Sequence, residues 1–191
     1  MTKSIMFVGV GGQGTLLASR IFGHLLLSEG YDAKVSEVHG MSQRGGSVTT
    51  YVKYSKDEKV HSPIVDKGEA DIIVAFEQME AARWTEYLKE NGVLITNTQK
   101  IEPMPVITGA AAYNENIISK IQNLGIDVIA VNALELAEQA GSAKAVNVVM
   151  MGAMSKRLTF DVSLWEAAIR ECAPKKATDI NLKAFELGRN V

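Results

Sequence analysis

"SIMFVGVGGQGTLLASRIFGHLLLSEG", residues 4–30, decides the fold. Its first part, "SIMFVGV" (4–10), is a short apolar run rich in β-forming residues, and it breaks into glycines, as a buried strand does. From Thr15 to Glu29 the apolar residues Leu17, Ile21 and Leu25 recur every four positions, with Leu16, Leu26 and Leu27 beside them. That spacing predicts a helix with a wide buried face, stopped at Gly30. "AKVSEV" (33–38) then reads as a second strand. Strand, glycine turn, helix, strand is a Rossmann-like βαβ start.

The rest of the chain continues the alternation. "SVTTYVKYS" (47–55) reads as a strand with Val48, Thr50 and Val52 on one face, and "DIIVAF" (71–76) as a fully apolar strand. "EQMEAARWTEYLKENG" (77–92) predicts a helix closed by Asn91-Gly92, "GVLITN" (92–97) a strand, and "QKIEPMPVITG" a loop with a short extended piece. Helix, strand and helix follow in "ENIISKIQNLG", "GIDVIAV" and "NALELAEQAG". "AVNVVMMGAMSKRL", apolar nearly all round, predicts a buried helix whose methionines fill core; two more helices are read in "SLWEAAIREC" and "ATDINLKAFELG". No linker, low-complexity tract or internal repeat interrupts the pattern. The expectation is a single α/β domain over residues 1–191, three-layered, with a mostly parallel sheet flanked by helices.

The glycine turn is the first candidate site. Gly9, Gly11 and Gly14 match G-x-G-x-x-G directly after a strand and directly before a helix, the context that pattern requires. Glycines permit a tight turn and close approach of backbone to a ligand, and the amides of the first helical turn favour an anion. Glu37, near the end of the second strand, is placed where a dinucleotide-binding fold holds a ribose. Three readings stay open: a bound dinucleotide, another phosphate or anion, or close packing at an interface. The simple fingerprint leaves Gly12 and Gln13 unexplained.

The second candidate is "VHGMSQRGGSV" (38–48). His39 suits a base or a ligand, although a lone loop histidine more often only hydrogen-bonds. Arg44 offers a fork for carboxylate or phosphate, Ser42 and Gln43 add donors, and Gly45 and Gly46 let the backbone turn tightly. The loop leaves the carboxyl end of the second strand, the edge on which ligands bind in such sheets, so it and the glycine turn can face one site.

Composition excludes several classes. The chain has 191 residues, 47% apolar and 22% charged, with net charge −2. No basic patch suits nucleic acid. The N-terminus does not read as a signal peptide, and no apolar run approaches the ~18 residues that span a bilayer, so a cytoplasmic protein is expected. The one cysteine, Cys172, cannot supply the four thiolates of an iron–sulfur cluster; it reads as a partly buried helix residue. No metal-ligand spacing, phosphate-loop lysine motif, serine nucleophile elbow or Gly-Asp-Gly diphosphate motif is present.

Together, "GVGGQGTLLASRIFG" and "VSEVHGMSQRGGSVTTYVKYS" resemble the gamma-type domain of the 2-oxoacid:ferredoxin oxidoreductases, most nearly its indolepyruvate branch. "ADIIVAFEQMEAARW", "NVVMMGAMSKRL" and "NLKAFELG" extend the likeness over nearly the whole chain. The resemblance implies a smaller subunit, inactive alone. A larger alpha subunit would carry thiamine diphosphate, Mg²⁺ and the iron–sulfur clusters, and electrons from coenzyme-A-dependent oxidative decarboxylation would pass to ferredoxin. The glycine turn, with Glu37 and residues 42–46, would hold coenzyme A or the partner. The alternatives are a pyruvate or 2-oxoglutarate gamma subunit, or a stand-alone NAD(P)-binding oxidoreductase.

Overall fold

The computed structural model describes residues 2–40 and 45–191. Six strands form one sheet in the order β2-β3-β1-β4-β5-β6. They are β1 (Lys3–Val10), β2 (Asp32–His39), β3 (Ser47–Ser55), β4 (Ala70–Ala75), β5 (Leu88–Asn97) and β6 (Asp127–Val131). β1, β4, β5 and β6 are parallel neighbours. β3 runs antiparallel to both β1 and β2, so β2 points the same way as β1. The expected βαβ unit is therefore split: β3 is inserted between its two strands. Five of the six carboxyl ends still lie on one edge of the sheet, where β3 begins.

Helices α1 (Thr15–Ser28), α2 (Gln78–Trp84), α3 (Met104–Ile107), α4 (Ile117–Gln122), α5 (Ala133–Ala140), α6 (Val146–Ser155), α7 (Val162–Cys172) and α8 (Thr178–Arg189) complete the chain. Strand alternation sorts the core into two layers. Ile5, Phe7, Ile72, Val74, Ile95 and Val52 face α1 and α5 to α8. Met6, Val8, Ile73, Ala75, Leu94 and Tyr51 face α2 and α4. On α1 the buried stripe is Ala18, Ile21, Phe22, Leu25 and Leu26, whereas Leu16 and Leu27 are more than half exposed. The wide apolar face read from sequence is thus narrower than expected.

Every residue of α6 is buried, Met150, Met151 and Met154 completely. It crosses α8 so closely that a Cβ on Gly152 would meet the Phe185 carbonyl oxygen at 2.3 Å, and one on Gly188 the Val149 oxygen at 2.0 Å. Only hydrogen fits at either position. Trp165 of α7 stacks between Phe22 and Phe185, with centroids 5.6 and 5.7 Å away.

Two local expectations are corrected. The helix expected over 77–92 ends at Trp84, and β5 begins at Leu88. Leu88 pairs with Ala70, then the register slips before Ile72 pairs with Val93; Asn91, at φ 61°, takes up the slack. Gly92 packs where a Cβ would meet Leu88 and the Ala70 oxygen. Sheet pairing outweighs the helical propensity of "TEYLKEN". In the loop expected after β5, residues 104–107 form α3, with Pro105 in its first turn, where a missing N–H costs nothing.

Candidate functional site

Both sequence-derived candidates lie at the carboxyl edge, and a backbone bond joins them: Gly11 N donates to Gly46 O at 3.0 Å. The turn's residues divide by role. Gln13 is a clasp. Its Oε1 accepts from Val10 N at 2.8 Å, and its Nε2 donates to Phe76 O at 2.9 Å, tying β1 to the end of β4. Asn97 extends the seam, donating to the same carbonyl and accepting from Ala133 N at 3.2 Å. Gly9 is required by that clasp, since a Cβ there would lie 2.9 Å from Gln13 Oε1. Gly14 has φ 82°, and its Cβ position lies 2.6 Å from Nδ2 of Asn147, which donates to Gly14 O.

Gly12 differs. Its φ is 99°, yet among the described residues nothing lies within 4 Å of where a Cβ would be, and the same holds for Gly45 at φ 70°. Both are exposed, and each leaves backbone open to approach. α1 starts beside them with no side-chain cap among the described residues and no acidic residue of its own in its first turn, the end where a helix favours an anion.

Glu37 is engaged within the chain. Its Oε2 accepts from Thr50 Oγ1 at 3.0 Å and from Thr15 Oγ1 at 3.5 Å, and its Oε1 lies 2.7 Å from His39 Nε2. The carboxylate is mostly buried while the imidazole is 62% exposed. A buried acid anchored by two hydroxyls thus orients a solvent-facing histidine, the arrangement that fixes a tautomer for proton transfer. Ser42, Gln43 and Arg44 lie outside the described residues.

The sequence reading missed a cleft of about 450 Å³ at the same edge, lined in part by Val10, Gly45, Glu77, Glu80, Arg83 and Met104. Glu77 is 1% exposed and caps α2: Oε2 accepts from Met79 N at 2.6 Å and Glu80 N at 3.0 Å. Its Oε1 accepts from Ile101 N at 3.3 Å and from Tyr113 Oη. Burial first, and the bond to Glu77 second, push the Tyr113 phenol above its ordinary pKa. Glu80 accepts from Ser47 Oγ, Trp84 Nε1 at 3.1 Å and Arg83 Nε at 3.2 Å. Glu77 is not among the usual capping residues, so the sequence carries no clear signal of this cap. Nothing local signals that Tyr113, Ile101 and Ser47 converge on it.

Cys172 is half-buried on α7, 3.8 Å from the Arg20 carbonyl, and burial raises its thiol pKa. That is the chemistry of an inert thiol. Among the described residues no group of three or more His, Cys, Asp or Glu could hold a metal ion, and no helix is long and apolar enough to cross a membrane.

The chain matches the family model described as pyruvate ferredoxin/flavodoxin oxidoreductase over residues 4–191. It is 41% identical to indolepyruvate oxidoreductase subunit IorB of Archaeoglobus fulgidus, covering 100% of this chain and 95% of that one. Against the protein of the same name from Thermococcus kodakarensis it is 42% identical, covering 97% and 93%. It is also 30% identical to 2-oxoglutarate synthase subunit KorC of Methanothermobacter marburgensis, covering 100% and 97%. Among solved structures, the keto/oxoacid ferredoxin oxidoreductase gamma subunit of Geobacter sulfurreducens superposes with TM-score 0.71 at 26% identity, covering 98% and 96%. The 2-oxoglutarate:ferredoxin oxidoreductase of Magnetococcus marinus, solved with 2-oxoglutarate, coenzyme A and succinyl-CoA bound, shares the fold at TM-score 0.76 and 18% identity; it covers 99% of this chain and 30% of that one. A G-x-G-G-Q-G turn bonded to the Glu37–Gly46 loop, in a chain alike over its full length, has one reading: the chain belongs to the pyruvate ferredoxin/flavodoxin oxidoreductase family, as a gamma-type domain of the 2-oxoacid:ferredoxin oxidoreductases.

Proposed function

We propose that the chain is the smaller subunit of an indolepyruvate-type ferredoxin oxidoreductase, inactive alone, and that its carboxyl edge completes an active site whose redox groups belong to a larger partner. The observation that carries this is the Gly11–Gly46 bond, which holds the glycine turn and the 38–48 loop together on one edge. Full-length identity of 41% and 42% to indolepyruvate oxidoreductase subunits supports the branch, against 30% to a 2-oxoglutarate synthase subunit.

In this reading the open backbone at Gly12 and Gly45, the uncapped start of α1 and the Arg44 guanidinium hold the phosphates of coenzyme A, a polyanion suited to such a cradle. His39, oriented by Glu37, is a candidate proton acceptor at that edge. The residues present do not fit the family's other groups. One cysteine cannot ligate a cluster, and no diphosphate motif is present, so thiamine diphosphate, Mg²⁺ and the iron–sulfur clusters are assigned to the alpha subunit, as is delivery of electrons to ferredoxin. A stand-alone NAD(P) enzyme is disfavoured because Glu37 is engaged by Thr15, Thr50 and His39.

The test is reconstitution. Arylpyruvate- and coenzyme-A-dependent dye reduction is measured for the chain, the alpha subunit, the pair, and the pair with Arg44→Ala. Activity in the pair alone, reduced at least about tenfold by Arg44→Ala in an intact complex, is expected, since a charge-assisted bond contributes roughly 1.5–3 kcal/mol. Full activity of either subunit by itself contradicts the reading.

A further inference from the structure

A separate pocket opens on the opposite edge of the sheet, where β1 begins at Lys3 and the antiparallel β3 ends at Ser55. Neither sequence motif reaches it. Its volume of about 260 Å³ falls just below the roughly 300–1,000 Å³ of drug-sized sites, so an occupant must be small. One wall is aromatic: Tyr31 and Phe160 meet edge to face with centroids 5.6 Å apart. The polar lining is cationic, with Lys3, Lys56 and Arg157 against one carboxylate, Asp57, which is itself engaged within the chain. Lys56 lies over the Tyr31 ring, 4.8 Å from its centroid, and donates to Glu29 O. Arg157 Nη2 lies 3.6 Å from Asp127. The Lys3 ammonium has no partner among the described residues. Met1, two positions before it and outside the described residues, carries no acid, so the sign of this balance does not depend on it.

The Tyr54 hydroxyl is an independent sign of a ligand. Tyr54 lines the pocket and is 3% exposed, yet its Oη has no hydrogen-bond partner among the described residues. A buried hydroxyl left without a partner is costly and calls for one. Burial keeps the phenol protonated through neutral pH, so it stands as a donor. A waiting donor beside a cationic lining suits an acceptor that carries negative charge.

We infer that this pocket binds a small organic monoanion, a carboxylate on a compact apolar body: the carboxylate accepts from the Tyr54 hydroxyl and offsets the Lys3 ammonium, and the body packs on Tyr31 and Phe160. With Lys56 and Arg157 already engaged, the charge left over matches one negative group rather than the several of a nucleotide. An ion without an apolar body, such as inorganic phosphate, would leave the aromatic wall uncovered. The site lies on the edge away from the glycine turn and stands independently of the oxidoreductase reading.

The probe is benzoate, titrated at neutral pH into the isotope-labelled chain, and the readout is the resonances of the lining residues Leu158 and Thr159. Saturable shifts at both are expected, with benzamide, the neutral counterpart, and inorganic phosphate each binding at least tenfold more weakly. Tyr54→Phe removes the donor and leaves the ring in place, so it should raise the benzoate Kd at least about tenfold, as loss of a charge-assisted hydrogen bond does. Lys3→Gln, at an exposed position, should raise it by about threefold, the size of a solvent-screened charge effect. Shifts that do not saturate, or a Kd unchanged by Tyr54→Phe, overturn the inference. Benzamide binding as tightly as benzoate overturns the requirement for charge, and phosphate binding as tightly overturns the requirement for an apolar body.

Discussion

Two sets of glycines in this molecule do opposite things. Gly152 and Gly188 sit inside helices, at ordinary helical dihedrals, where carbonyl oxygens lie 2.0–2.3 Å from any Cβ. Gly12 and Gly45 sit in turns at φ 99° and 70° with nothing among the described residues within 4 Å of a Cβ. The first pair lacks a side chain because there is no room. The second pair takes a left-handed backbone shape that a side chain disfavours. A sealed glycine is a packing device, and an open one on the carboxyl edge is where the proposed function places a ligand. Gly14 belongs to both classes, with φ 82° and Asn147 Nδ2 at 2.6 Å.

Substitution separates the classes. Gly188→Ala should cost the most stability, about 3 kcal/mol or more, because the clash is with backbone that cannot step aside; chemical denaturation of the lone chain measures it, and a loss under about 1 kcal/mol would show that α6 and α8 are not locked. Gly14→Ala should follow at about 2 kcal/mol, combining left-handed strain with displacement of the Asn147 side chain. Gly12→Ala should cost only about 1 kcal/mol of strain. Its larger effect should fall on coenzyme A, with KM raised at least tenfold in an assembled complex. An unchanged KM would move Gly12 from the ligand-facing set to the purely conformational one.

The smallest stability effect at neutral pH is expected at Tyr54. Its hydroxyl is buried without a hydrogen-bond partner among the described residues, so Tyr54→Phe should be neutral or stabilising by up to about 1 kcal/mol. Burial also holds the Tyr54 phenol well above its ordinary pKa. The folded state therefore keeps a proton that the unfolded chain releases near pH 10, and stability present below that pH is lost as pH rises through the folded value. Tyr54→Phe should flatten that alkaline decline, read as Tm against pH. A profile unchanged by the substitution would place the loss elsewhere, for instance at Tyr113.

Much of this was legible in the sequence because it is local. The turn at Gly9–Gly14, the α1 stop at Gly30 and the wholly apolar α6 are each written in a few neighbouring residues. The shared edge also followed, since it needs only the direction of β2 relative to β1. What was hidden is non-local. The insertion of β3 depends on pairing Val10 with Ser47 on one side and His39 with Val48 on the other. The early end of α2 depends on Leu88 finding Ala70. Gln13 reads as one more polar loop residue until Phe76 O arrives from β4. The cleft is assembled from four separate stretches, with buried carboxylates that look solvated in a one-dimensional pattern.

The carboxyl edge as the ligand-facing edge is tested most directly by hydrogen–deuterium exchange on the reconstituted complex with and without coenzyme A. Protection on adding coenzyme A is predicted at Gly11–Leu17 and at Gly45–Ser47, with none in α6 or α8. Unchanged exchange at both turns, with protection elsewhere, would contradict it.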